Sequence, residues 1–325
     1  MTNPNSKVSI AVLIYNSGLY LDRCLGSIAK QTYQNIEVDL IYTESTDFSY
    51  TIIQKYIKLN PDVFKLHQTN FQSIAKSRSQ ALSVASGEYL IYVDGDDWVE
   101  PDYIEKLVSK AVADDADVVV CNFRTYSDRG VKEYPLHLYD NTIDMLNHNV
   151  RYMSVLWNKL FKLSFIRKYN FNFDPSLIIG EDVYFVYQVL LNNPKIIFIT
   201  DMLYNYRNNY KSITRKKNKT QIQDDIKVIN FFEGMIKERK LEKDYDEFLK
   251  YRKFELKTNY LFALPEPDFP GFEACYPEIK DIPKYSRLSG IKRIIFKSAI
   301  KQNYKTARFW FKFRRMLKKI GLGLN

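Results

Sequence analysis

The sequence predicts an α/β fold: a mostly parallel sheet flanked by helices, followed by a helical C-terminal extension. Three observations predict it. Strand-like and helix-like segments alternate through about the first 100 residues. The first strand-like segment, Val8–Tyr15, is a nearly continuous apolar run, as expected of a strand covered on both faces. Beyond Thr214 the pattern turns helical, in TQIQDDIKVINFFEGMIKERK and YDEFLKYRKFELKTNYLFAL.

VSIAVLIY (Val8–Tyr15) reads as a first buried strand, stopped by the turn signal NSG. Leu21, Cys24, Leu25 and Ile28 then recur at helical spacing. IEVDLIYT is a second strand. DFSYTIIQKYIKL is a second helix, with Asp47 or Ser49 as its cap. VFKLHQT is a third strand, SIAKSRSQALSVAS a third helix ended by Gly87, and EYLIYVD a fourth strand. DYIEKLVSKAVADD is a further helix and ADVVVCNF a further strand. Residues 140–215 mix helical and irregular pieces, and PEPDFP reads as a break or linker. Such βαβ units wind right-handed, and their ligands bind beyond the carboxyl ends of the strands.

Composition bounds the class. The 325 residues are 46% hydrophobic, with 25 Tyr and 21 Phe, enough for a sizeable core. Cys24, Cys121 and Cys275 are widely separated and odd in number, so they form neither a disulfide framework nor a metal-ligand spacing. A reducing, cytoplasmic setting is expected. MTNPNSK lacks the basic and apolar regions of a signal peptide, and no apolar run reaches the roughly 20 residues of a membrane span. Twelve of the 48 Lys and Arg, and none of the 38 Asp and Glu, fall in 287–325. The remainder carries 36 basic against 38 acidic residues, so the net charge of +10 belongs to the tail.

The chemistry concentrates in EYLIYVDGDDWVEP, where a strand runs into Asp94, Asp96 and Asp97. Carboxylates so close repel one another, and a divalent cation is what neutralises such a cluster. Oxygen ligands suit Mg²⁺ or Mn²⁺, which commonly bridge to a diphosphate. Trp98 and Val99 exclude a calcium loop. Alone, the motif equally describes a solvated acidic turn.

Set in context, VSIAVLIYNSGLYLDRCLGSIAKQTYQNIEVDLIYTESTD and AKSRSQALSVASGEYLIYVDGDDWVEPDYIEKL resemble the family-2 glycosyltransferases of the GT-A fold. The resemblance continues through LWNKLFKLSFI, IIGEDVYFVYQVL and LYNYRNNYKSIT, and covers roughly residues 7–215. It implies a nucleotide-binding half over 7–100, an acceptor half over 101–215, and a mainly helical region over 216–325. It implies inverting transfer from a nucleoside diphosphate sugar, with UDP expected, to a glycan, glycolipid or glycoprotein hydroxyl. Asp94 and Asp96 would hold the cation and Asp94 the donor ribose. Asp97 would face the acceptor or support the loop. Asp182 would be the general base, which inverting transfer requires, although acids in the first turn of a helix also suit its dipole. Glu181, Trp157 and Lys159 would meet the acceptor. Tyr15, Arg78, Arg207 and Ser212 would meet the donor.

Tyr42–Ser45 (YTES) stands where this family carries Asp-Asp-Gly-Ser, which leaves Thr43 or Glu44 to read the base. The tail repeats apolar residues at helical spacing between Lys and Arg: Ile291, Ile294, Ile295 and Ile300, then Trp310, Phe313, Leu317 and Ile320. A basic amphipathic helix with aromatics reads as an anionic-membrane contact, or as a helix packed on its own domain. The expected location is the inner face of the cell membrane. Nucleic acid is not an expected partner, and self-association is left open. Two other functions remain: a non-catalytic partner subunit with the same fold, and a surface-binding protein acting through its tail.

Overall fold

The computed structural model describes residues 5–70, 73–135, 143, 146, 153–208, 217–284, 286 and 288–319. The chain divides into two compact units, Met1–Ser212 and Ile213–Asn325.

The first unit opens with β1 (Val8–Ile14), α1 (Gly18–Ala29), β2 (Ile36–Thr43), α2 (Ser49–Leu59), β3 (Phe64–Thr69), α3 (Ile74–Val84) and β4 (Tyr89–Asp94). Helix α1 buries Leu21, Cys24, Leu25 and Ile28, the stripe its spacing predicts. Phe48 occupies the cap position of α2 and makes no side-chain cap bond. Asp47 supplies the missing acceptor: its Oδ1 takes the Ser49 N–H at 3.0 Å and its Oδ2 the Gly18 N–H at 2.7 Å. One carboxylate thus starts two helices.

β5 (Trp98–Val99), α4 (Tyr103–Asp114), β6 (Val118–Ser127), β7 (Gly130–Tyr134), β8 (Lys159–Lys162), α5 (Leu163–Lys168), α6 (Glu181–Leu190) and β9 (Ile196–Arg207) complete the unit. Among the described residues the nine strands form one sheet, ordered β3-β2-β1-β4-β8-β6-β9-β5, with β7 on β6. β1 to β4 are mutually parallel, and β8 runs antiparallel between β4 and β6. β6 and β9 are again parallel, with a register shift at Cys121 to Phe123. Because β1 to β4 share one direction, Ile14, Thr43, Thr69 and Asp94 end on one edge. The acidic stretch therefore lies at the edge where open α/β sheets bind ligands.

The second unit holds α7 (Lys219–Glu238), α8 (Glu242–Phe262), α9 (Phe269–Ala274), α10 (Gly290–Ile300) and α11 (Tyr304–Lys319). PEPDFP is no linker. It lies inside this unit and starts α9, with Asp268 capping Gly271 and Pro270 in the first turn, where a proline's missing N–H costs nothing.

The opposite edge of the sheet is tied by Glu37, which is 2% exposed. Its carboxylate accepts from Ser9 Oγ (2.6 Å), Ser86 N (2.7 Å), Lys7 Nζ (2.6 Å) and Lys65 Nζ (3.1 Å). Beside it, a Cβ on Gly87 would lie 2.7 Å from the Lys7 carbonyl, so β1 and β4 meet there only over glycine. Burial alone would raise the Glu37 pKa, but the bonds from Lys7, Ser9 and Ser86 outweigh it and hold the carboxylate ionised well below the ordinary range. A depressed folded pKa contributes stability above the unfolded value, near 4.3, and loses it as pH falls below that value. Glu37→Gln should therefore destabilise the protein at pH 7 by about 1–3 kcal/mol. In urea titrations the gap from the parent should close as pH drops below about 4.

Candidate active site

β4 delivers Asp94 to the edge, and a tight turn follows, with the Asp97 N–H bonded to the Asp94 carbonyl at 3.0 Å. Gly95 is needed in this turn: a Cβ there would lie 2.9 Å from the Leu13 carbonyl. The three carboxylates then part company. Asp97 is 1% exposed. Its Oδ2 accepts from the Tyr204 hydroxyl at 2.8 Å, and its Oδ1 from the Arg207 N–H at 2.6 Å. The Tyr204 hydroxyl in turn accepts the Asp94 N–H at 3.2 Å. Asp97 thus anchors the turn, the loop-supporting alternative of its expectation. Asp94 and Asp96 stay partly exposed.

Strand β9, which supplies Tyr204 and Arg207, closes this wall by pairing with β5. Arg207 donates from Nε to the Asp96 carbonyl at 3.1 Å, and its guanidinium lies 4.3 Å from the Tyr20 ring and 5.2 Å from Trp98. The expected donor-side arginine is therefore fastened to the turn that carries the aspartates. Ser212 lies outside the described residues.

On the far side of β4, Arg78 joins the aspartate turn to α6. Its Nε donates to Glu181 Oε1 at 3.1 Å, and its Nη2 lies 3.7 Å from Asp94 Oδ1. Arg78 is 7% exposed, and its Nη1 has no hydrogen-bond partner among the described residues. Gly180 turns the chain into α6 at φ +80°, a conformation glycine adopts at little cost, and this sets Glu181 and Asp182 in the first helical turn. Asp182 is half-buried, and its Oδ1 takes the Val183 N–H at 2.8 Å. Burial raises both carboxyl pKa values, and Arg78 opposes the rise in each.

The other residues expected at the acceptor all have internal partners. Glu181, 5% exposed, is taken by Arg78. Trp157, 6% exposed, packs on Phe123, Tyr204 and Tyr206 and offers no open face for a sugar. Lys159, 1% exposed, donates to the Val155 carbonyl at 2.7 Å and to Asn158 Oδ1 at 2.8 Å, and burial pushes its pKa down to about 7. The acceptor role expected of each rests on the family resemblance, and the fold gives each of them internal partners.

The base-side expectations sit at the ends of β1 and β2. Tyr15 is 55% exposed, Thr43 is buried and Glu44 is exposed. Glu44, Gln68, Thr69, Asn70 and Gln80 line a cleft of about 330 Å³. The YTES loop is tied to α1 by Asn16, whose Oδ1 accepts the Thr46 N–H at 2.9 Å and whose own N–H reaches Ser45 Oγ at 3.0 Å. The sequence reading missed Tyr204. Its partner Asp97 is 107 residues away, and no local pattern in β9 marks an inward hydroxyl.

Burial, then the nearby Asp94 charge, raises the Asp96 pKa to about 6. The folded protein therefore holds a proton here between about pH 4 and 6 that the unfolded chain has released, and stability falls as pH rises through that window. Asp96→Asn should stabilise the ligand-free protein at pH 7 by about 1–3 kcal/mol, with the gain vanishing near pH 4. Thermal unfolding across pH reads this directly.

Known proteins share this arrangement of strands. The chain is 29% identical over 264 residues to the putative glycosyltransferase EpsH of Bacillus subtilis (strain 168), covering 74% of each protein. It superposes with TM-score 0.70 on the crystal structure of Staphylococcus aureus TarS 1-349 in complex with UDP-GlcNAc, at 21% identity over 95% of this chain and 92% of that one. It superposes with TM-score 0.57 on the mannosyltransferase PcManGT of Pyrobaculum calidifontis in complex with GDP-Man and Mn²⁺, at 15% identity over 96% and 87% of the two chains. These structures share the GT-A fold that the sequence predicts. The family model for glycosyl transferase family 2 matches residues 9–175, which run from β1 through the aspartate turn to the approach to α6. This chain belongs to glycosyl transferase family 2.

Proposed function

We propose that the protein transfers a sugar, with inversion, from a nucleoside diphosphate sugar to a hydroxyl of a glycan, glycolipid or glycoprotein. The observation that carries this reading is the junction at Arg78. One buried guanidinium lies against Asp94 on the donor side and Glu181, next to Asp182, on the other. A UDP-sugar donor is favoured by the likeness to TarS bound to UDP-GlcNAc.

Asp94 and Asp96 fit a divalent cation. Both are oxygen donors, both are partly exposed, and burial, with the Asp94 charge adding to it, raises the Asp96 pKa. Asp97 is already bonded internally, and among the described residues no three His, Cys, Asp or Glu are grouped to hold a metal. Mg²⁺ and Mn²⁺ commonly accept one or two protein carboxylates, with phosphate and water completing the shell. The likeness to PcManGT with Mn²⁺ supports that choice. Such an ion would offset the charge of the departing diphosphate.

The chain's own groups supply the rest. Asp182 takes the proton of the acceptor hydroxyl as that oxygen attacks the anomeric carbon. The bond from that carbon to the diphosphate breaks, and its electron pair leaves with the phosphate oxygen. Burial raises the Asp182 pKa, which strengthens it as a base while leaving it ionised above that pKa. Arg78 pairs with Glu181 and so keeps the neighbouring charge from opposing ionisation of Asp182. Its unpartnered Nη1 and the Arg207 guanidinium are the cations available to an anionic donor. Tyr15, Thr43 and Glu44 border the base.

Thermal unfolding with a panel of nucleoside diphosphates and their sugars, with and without Mn²⁺, tests the donor site. A ligand at a hundredfold excess over Kd adds about 2.7 kcal/mol of stability. A Mn²⁺-dependent shift with UDP or a UDP-sugar is expected, and no shift with any nucleotide would leave the non-catalytic subunit as the reading. Asp182→Asn should keep that shift while transfer falls by about 10²–10⁴-fold. Undiminished transfer would remove Asp182 as the base.

A further inference from the structure

Helix α11 carries two apolar faces. Ala307 and Phe311 are buried. Phe309, Trp310, Phe313, Met316 and Leu317 share another side by their spacing of three and four residues. There Phe309 is 62% and Met316 50% exposed. The aromatic rings pack on one another, with centroids 5.6 Å apart for Phe309–Trp310, 5.5 Å for Trp310–Phe313 and 6.4 Å for Phe309–Phe313. Along one margin of this face runs a row of exposed cations: Lys305, Arg308, Lys312, Arg315 and Lys319. Arg315 is paired with Glu266 at 2.6 Å. Helix α10, packed against α11, adds Ile294, 40% exposed, between Arg293 and Lys297. Neither helix contains an acid.

We propose that α11, with the exposed edge of α10, docks on an anionic phospholipid surface. The aromatic face would enter the headgroup region and the cation row would lie over lipid phosphates. Charge and shape select this occupant. A row of cations with no intervening acid matches a continuous negative surface, and exposed Phe and Trp beside such a row belong at a boundary between water and hydrocarbon. The helix lies on the bilayer and does not cross it: its 16 residues span about 24 Å. No helix among the described residues is long and apolar enough to cross a membrane. None of these residues has a part in the proposed sugar transfer, so the test does not depend on that reading.

The full chain is floated with phosphatidylcholine vesicles, with and without phosphatidylglycerol. Binding is expected only with phosphatidylglycerol. It should fall steeply between about 0.1 M and 1 M salt, as the Debye length shrinks from about 10 to 3 Å. A variant with Lys305, Lys312 and Lys319 all changed to Gln should bind about 100-fold more weakly, roughly five-fold per charge. Phe309→Ser with Met316→Ser should lose at least about ten-fold. Both variants replace exposed residues and should keep the parental Tm and nucleotide-induced shift. Three results would each overturn the proposal. One is equal or absent binding to both vesicle types. Another is unchanged binding of both variants. The third is light scattering that shows a dimer abolished by Phe309→Ser, which would make the patch a contact between copies.

Discussion

Everything at the acidic edge depends on Asp97 being withdrawn from it. Three carboxylates within four residues cannot all stay ionised at one surface without a large electrostatic cost. Here one is turned inward, where a tyrosine hydroxyl and a backbone amide satisfy it. That withdrawal fixes the turn, and with it the direction in which Asp94 and Asp96 project. It also explains why β9 returns to this edge after more than a hundred residues: Tyr204 serves Asp97 and the Asp94 amide with a single hydroxyl. Buried polar groups tolerate little loss of partners, so the bond that spares the edge one charge also makes it rigid.

Arg78 is the second joint. A cation buried this deeply requires partners, and it finds Glu181 and Asp94 on two different elements. In that position it couples two halves of the chain that are far apart in sequence. The charge of Asp94 is felt by the acid pair on α6 through one planar group. Such a pairing favours geometry over raw stability, because an apolar replacement of similar volume is often no worse for folding.

Much of the first half was legible in the sequence. Strand-like segments alternating with helical spacing and turn residues located β1 to β4 and the helices between them. The place of Asp94 and Asp96 followed from strand order alone. What the sequence concealed were long-range partners. Asp97 and Glu181 look like surface chemistry in a linear reading, and they become interior chemistry once Tyr204 and Arg78 arrive beside them. The acceptor role expected of Trp157 rests on a ring suited to stacking on a sugar, and such a ring is equally suited to stacking on tyrosines, as it does here. Helix caps were legible only to within a residue or two, as with Asp47 acting from one position before the cap.

The Glu37 cluster fastens β1, β2, β3 and the entry to β4 at the edge farthest from the aspartates. Its stabilising charge and the destabilising charge of Asp96 are thereby kept at opposite ends of the same strands. A chain arranged this way can accumulate changes in its ligand-reading loops without eroding its foundation. The YTES segment is such a place. Its loop is held by the Ser45 hydroxyl and by backbone amides, which leaves the side chain at position 44 free of that framework. On the proposed function, drift in donor preference is structurally cheap here, while drift at Glu37 is not.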